Sequence, residues 1–259
     1  MKGALLPIAL KGAALPVALL LAAEAALGGR STELLAPPSA ALRALWALAL
    51  DGSLWRLSLE TLGSSFAGLA LGGGAGLLLG GWFGLARRAA QAGGLTVELL
   101  RPLPAVALIP LAMLVFGLGW RMEIAVVAFS SLWPMLLLTQ AAVAQVDPCL
   151  IDVGRLLRLS SADRFRLLVL PAALPRLVVA LRLALGVALV VAVSVEVVAN
   201  PQGLGFAMID AQQSLQPDRM LALLGWTGAL GWAANAVLLG VERRLSPERR
   251  QWRDGRMPR

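Results

Sequence analysis

Six apolar runs, at residues 3–27, 57–86, 99–118, 122–144, 177–198 and 220–241, each approach the twenty or so residues that a helix needs to cross a bilayer. Hydrocarbon offers no water to backbone N–H and C=O groups, so such a run satisfies them internally by forming a helix. The expected fold is therefore an all-α polytopic membrane protein with about six transmembrane helices. The whole chain, 1–259, reads as a single membrane domain with its core at about 57–241. Composition agrees: 58% of residues are hydrophobic and the mean hydropathy is +0.77, beyond the range of soluble domains.

The runs differ in texture. Residues 3–27, interrupted by Lys11, read as an uncleaved first span, with a cleaved signal peptide as the alternative. Glu24 lies near its outer end, where interfacial water reaches it. Residues 28–56 carry Trp46 and Trp55 and suit an interfacial helix on the outer side. The second run places Ser64, Gly68, Gly72, Gly76, Gly80 and Gly84 four residues apart. That row is a ridge without side chains, which another helix can approach closely. It serves plain helix packing or a mobile contact beside a pathway. The third run opens RPLPAVALIP, and Pro110 is expected to kink or break it. Gly117 and Gly119 then make a turn, and Pro134 falls inside the fourth run.

Charge fixes the orientation. With the N-terminus inside, 18 of the 23 lysines and arginines fall on inner segments, including Arg87, Arg88, Arg101 and seven arginines in the basic tail, 243–259. Only Arg30, Arg43, Arg56, Arg121 and Arg219 fall outside. The positive-inside rule accepts this arrangement, with both termini cytoplasmic, and rejects its inverse. The same distribution argues against nucleic acid, despite the net charge of +8: the cations flank apolar runs and line no soluble face.

The inventory removes most enzymes. Cys149 is the single cysteine and there is no histidine, so no internal disulfide forms and no metal site is expected. Lys2 and Lys11 are the only lysines and neither sits in a Walker loop, so the chain cannot hydrolyse ATP itself and needs no cofactor. The GGGAG run at 72–76 follows no strand and does not suit a dinucleotide.

The stretch 147–175, DPCLIDVGRLLRLSSADRFRLLVLPAALP, is the most polar long segment between two apolar runs. Leu150, Val153, Leu156, Leu157 and Leu159 recur at helical spacing, with Asp152, Arg155 and Arg158 between them. Ser160 or Ser161 can cap a second short helix with Asp163 in its first turn, and Pro171 and Pro175 are expected to end it. The result is a bent helical hairpin in the cytoplasm. It is a docking surface for a soluble partner, with Leu156, Leu157, Phe165 and Leu168 as its apolar face, or a helix pair lying on lipid headgroups.

This stretch resembles the EAA loop of permease subunits of ATP-binding cassette importers. That loop starts Glu-Ala-Ala, has a Gly four residues after the second Ala, and ends Ile-x-Leu-Pro. Here the start falls on Asp152, Val153 and Gly154, the Gly on Arg158, the Ile on Leu168, and the end on Leu170 and Pro171. Arginine is not expected to enter the left-handed conformations open to glycine, so either the turn at 158 is ordinary or coupling is weaker. The resemblance extends from about Leu34 to Leu245 through LLAPPSAALRAL, RPLPAVALIPLAMLVFGLG and NPQGLGFAMIDA. It looks most like the permeases for nitrate, aliphatic sulfonates, taurine and related small solutes.

The resemblance implies a type I importer permease architecture in a bacterial inner membrane. It implies a cytoplasmic ATP-binding cassette ATPase on the 147–175 hairpin, ATP being bound by that partner. It also implies a periplasmic or surface substrate-binding protein and a second permease copy. A stand-alone secondary transporter or channel is the alternative. Arg182 and Glu196 lie inside the fifth run, as pathway residues or as structural polar groups: Arg182 can snorkel from the inner end, and Glu196 can pair with a polar neighbour near the outer end.

Overall fold

The computed structural model describes residues 5–28 and 35–245. Lys2, Arg30 and the tail from residue 246 onward lie outside these. Every regular element among the described residues is helical. Helix α1 covers Leu5–Leu27 and α2 covers Pro38–Leu50. Glu24 closes the first junction: its carboxylate accepts from the Ser39 N–H at 3.0 Å and the Ser39 hydroxyl at 2.7 Å, in the first turn of α2.

The second span is one continuous rod of three parts, α3 (Ser53–Gly68), a π-helical turn (Leu69–Gly73) and α4 (Gly74–Leu85). The third predicted span is not continuous. Residues 99–118 fall on α5 (Arg87–Leu100), a break, a 3-10 turn (Ala105–Leu108) and α6 (Ile109–Phe116), with a bend of 85° between the two arms. Pro102 and Pro104 mark the break, because each removes a donor and Pro104 is itself extended (φ −64°, ψ 124°). Pro110, expected to kink a helix, instead begins one: it sits in the first turn of α6, where its missing N–H costs nothing. Gly117 (φ 73°) and Gly119 (φ 119°) then adopt conformations closed to other residues, and α7 (Trp120–Ala144) follows.

Beyond α7 come α8 (Pro148–Leu156), α9 (Ser161–Arg164), a second π turn (Phe165–Val169), α10 (Leu170–Val198), α11 (Gly203–Gln213) and α12 (Pro217–Leu245). Pro171 and Pro175 do not end the helix they follow. The chain stays helical from Ser161 to Val198, because Pro171 cannot donate to Leu167 and the wider π turn absorbs that lost bond, with Leu170 N–H reaching back to Phe165 O. Among the described residues four rods are thus long and apolar enough to span, or five where the two arms of the bent pair make one crossing.

Helix α7 is the centre of the bundle, clasped between two ridges of small residues. On one side the predicted glycine row meets it: a Cβ on Gly72 would strike the Ala128 carbonyl, one on Gly76 the Leu132 carbonyl, one on Gly80 the Leu136 carbonyl. On the other, Ala180, Ala184, Ala188 and Ala192 of α10, also four apart, are fully buried with Val127 and Met135 of α7. In lipid the apolar faces gain little from leaving solvent, so association rests on this close van der Waals fit. One added methyl at Gly72 forces backbone apart and costs about 1–3 kcal/mol.

Candidate functional site

Three polar features stand out against this apolar frame: a buried network around the N-terminus of α11, the 147–175 hairpin, and an arginine in a groove.

The outer network begins with α11. The first N–H groups of a helix lack internal partners. Here three side chains from other spans supply them. Glu60 accepts from Gly203 N–H at 3.0 Å, Thr61 Oγ1 from Leu204 N–H at 2.9 Å, and Glu196 Oε2 from Gly205 N–H at 2.8 Å. The carboxyl oxygens meet the positive end of the α11 dipole. The fit requires glycine: Gly203 has φ 85° with Glu196 against its Cα, and a Cβ on Gly205 would collide with the Val193 carbonyl. Behind this row, Glu123 accepts from the Ser64 hydroxyl and the Asn200 amide. Glu123, Glu196 and Asn200 are almost wholly buried. Glu196 thus faces neither lipid nor open water but the N-terminus of α11. Sequence reasoning singled out Glu196 and missed Glu60, Thr61, Glu123 and Asn200. The available signal was acidic residues at the edges of apolar runs.

The hairpin is held by local bonds. Asp147 caps α8 by accepting from Cys149 N–H at 2.8 Å. Ser160 caps the second helix, accepting from Asp163 N–H at 3.1 Å while its hydroxyl donates to Asp163 at 2.6 Å. Between them Arg158 has φ 53°, so the expectation that arginine avoids the left-handed region is wrong here. The reason is the helix end. Leu159 N–H bonds to Gly154 O at 3.0 Å and Arg158 N–H to Arg155 O at 2.9 Å. That pair closes α8 as a Schellman motif, whose left-handed residue is the one at 158. Two hydrogen bonds offset the roughly 1–2 kcal/mol that a side chain costs in this conformation.

Gly154 is buried, and a Cβ there would stand 2.7 Å from Leu168 Cδ1 and 2.9 Å from Arg164 Cγ, so the two arms touch at this glycine. Asp152 is exposed and pairs with Arg155 at 2.9 Å. The predicted apolar face is split. Leu156 (83% exposed), Leu157 (66%) and Val153 (42%) point outward. Phe165 instead packs onto the cluster of Val143, Val146, Val169 and Leu177, and Leu168 covers Gly154. Leu170 is partly exposed, and Pro171 lies in the first turn of α10.

Arg182 is half-buried on α10 and lines a groove of about 590 Å³ between α10 and α12, with Asn235 on the facing helix. The hairpin residues Gly154 and Leu168 meet one another. Arg182 and Glu196 do not: they mark different levels of α10.

A sequence profile described as binding-protein-dependent transport system inner membrane component matches residues 72–251. A protein named as an aliphatic sulfonates transport permease in Escherichia coli is 30% identical over 217 residues, covering 84% of this chain and 82% of its own. A nitrate import permease of Leptolyngbya laminosa is 27% identical, covering 78% of this chain and 69% of its own. In fold, the chain matches a crystallised amino acid ABC transporter with a TM-score of 0.60 at 17% identity, over 79% of this chain and 97% of that one. An inward-facing MetNI methionine ABC transporter gives 0.55 at 19% identity, over 73% and 94%. The helical bundle, its bent helix pair and its 147–175 hairpin therefore belong to a permease: the chain is a member of the binding-protein-dependent transport system inner membrane component family.

Proposed function

We propose that this permease carries a small solute of the aliphatic sulfonate, nitrate or taurine type into the cell. Two copies line the pathway in a bacterial inner membrane, with both termini cytoplasmic. A binding protein delivers the solute outside, and two ATPases dock on the 147–175 hairpins inside. The observation that carries this reading is the hairpin: its own caps and the Gly154 contact hold it rigid, while Asp152, Val153, Leu156 and Leu157 stay exposed. That combination suits a helix-in-groove contact. ATP closes the ATPase pair and moves the hairpins, and the bundle alternates between two arrangements. Of the two roles open to them, Glu196 anchors the outer segment and Arg182 faces the pathway.

Reconstitution tests this. Proteoliposomes holding the permease, its ATPase and its binding protein are expected to accumulate an alkanesulfonate when ATP is supplied. Uptake should vanish when the ATPase is left out. Uptake that persists without it would establish the chain as a stand-alone transporter.

A further inference from the structure

We propose that Glu123 and Glu196 hold a single proton between them, and that this bound proton keeps α11 locked to the bundle. The network around the N-terminus of α11 is short of donors. Ser64 and Asn200 donate to the two oxygens of Glu123, and Gly205 N–H donates to Glu196 Oε2. Glu196 Oε1 and Asn200 Oδ1 meet no donor among the described residues, and these side chains are only 1% and 2% exposed. Glu123 and Glu196 nonetheless come within hydrogen-bonding reach of each other. Two ionised carboxylates offer only acceptors and cannot bond; a carboxyl that keeps its proton is a donor. Adjacent carboxyls in a site of low dielectric cannot both ionise without a large penalty, and one proton shared between them removes the conflict.

The surroundings favour that proton. Glu60, on α3, faces both carboxyls and accepts from Gly203 N–H, and the Thr61 hydroxyl stands beside Glu196. The positive end of α11 offsets part of this charge, but three of its first N–H groups already take one oxygen each. Arg56 on α3 and Arg121 on α7 are exposed. Helix α6 carries no charged residue, and Asp210 is exposed beyond the middle of α11. Asp218 and Arg219 open α12, where Arg219 acts on Asp51. Among the described residues no three acidic side chains are placed to hold a metal ion. Releasing the proton leaves two charges face to face beneath α11. Glu196 bonds Gly205 N–H and lies against Gly203, so its recoil loosens the start of α11.

The test uses the full chain in a maltoside detergent, which has no carbonyl of its own. A protonated carboxyl gives an infrared C=O band that shifts in D2O. The wild type is expected to show such a band at neutral pH and to lose it as pH rises. Glu123→Gln and Glu196→Gln should each remove it, since either amide can donate to the carboxylate that remains. The two difference spectra, wild type minus variant, should therefore hold the same band. Below the pH where the band is lost, the folded chain holds one proton more than the unfolded chain. The unfolding constant should then rise by up to about tenfold per pH unit and level off above that point. The chain has no histidine and no tyrosine, so few other side chains titrate in this range. Both variants should lose that rise. A wild type without the band, a band missing from either difference, or an equal rise in both variants overturns the shared proton. The wild-type titration needs no variant, so it decides the matter even where a variant fails to fold.

Discussion

The network that holds α11 and the 147–175 hairpin are both polar assemblies built on short helices, yet different bonds hold them. In the network, donors and acceptors lie far apart in sequence: Gly203 with Glu60, Leu204 with Thr61, Asn200 with Glu123. All are buried or nearly so, in surroundings where an unmet polar group is expensive. In the hairpin the helix caps are local, Asp147 accepting from Cys149 N–H and Ser160 from Asp163 N–H, and both are exposed. The first region is a tertiary lock that exists only when the bundle is assembled. The second is a locally built surface that leaves Asp152, Leu156 and Leu157 exposed.

The largest expected effect is on the lock. Gly205→Val drives a side chain into the Val193 carbonyl and should cost about 3 kcal/mol or more, seen as lost accumulation of folded protein in detergent. Glu196→Ala strands the Gly205 N–H and should cost about 1–3 kcal/mol, with thermal midpoint and uptake falling together. Glu196→Gln keeps an acceptor and should lose less of both. If Glu196→Ala abolished uptake with an unchanged midpoint, the residue would belong to the pathway and the contrast between the regions would fail.

The hairpin should respond in the other sense. Asp152→Lys removes an exposed ion pair worth under about 1 kcal/mol, so insertion and thermal midpoint should hold. Association with the ATPase and substrate-stimulated ATP hydrolysis should nonetheless be lost. Normal transport by this variant would move the docking surface to Leu156 and Leu157. The smallest effect is Arg158→Gly. It relieves the left-handed strain and should stabilise the hairpin by about 1 kcal/mol, read as slower hydrogen exchange at Leu159, with coupling equal or improved.

The same contrast explains what could be read from the sequence. The Ser160 cap and the glycine row were legible because their partners or their period lie within a few residues. The network was not: Glu123 is one acid at the start of an apolar run, and nothing local joins it to Ser64 or Asn200. The alanine row at 180–192 escaped notice because alanine is unremarkable in an apolar run. The prolines misled in both directions. Pro110 marks a beginning, Pro102 and Pro104 a break, and Pro171 and Pro175 neither, since the outcome depends on which carbonyl loses its donor and whether the backbone can widen there.

The unbroken helix from Ser161 to Val198 has a mechanical consequence. At 1.5 Å per residue it is roughly 55 Å long, and it joins the hairpin's second arm to Glu196 without a joint. Alanines in its middle fix it against α7, as a fulcrum does a beam. A sideways displacement applied at Phe165 then returns as an opposite displacement at Glu196, and with it at α11. While that beam stays straight, the hairpin end and the α11 end of the bundle move in opposite senses.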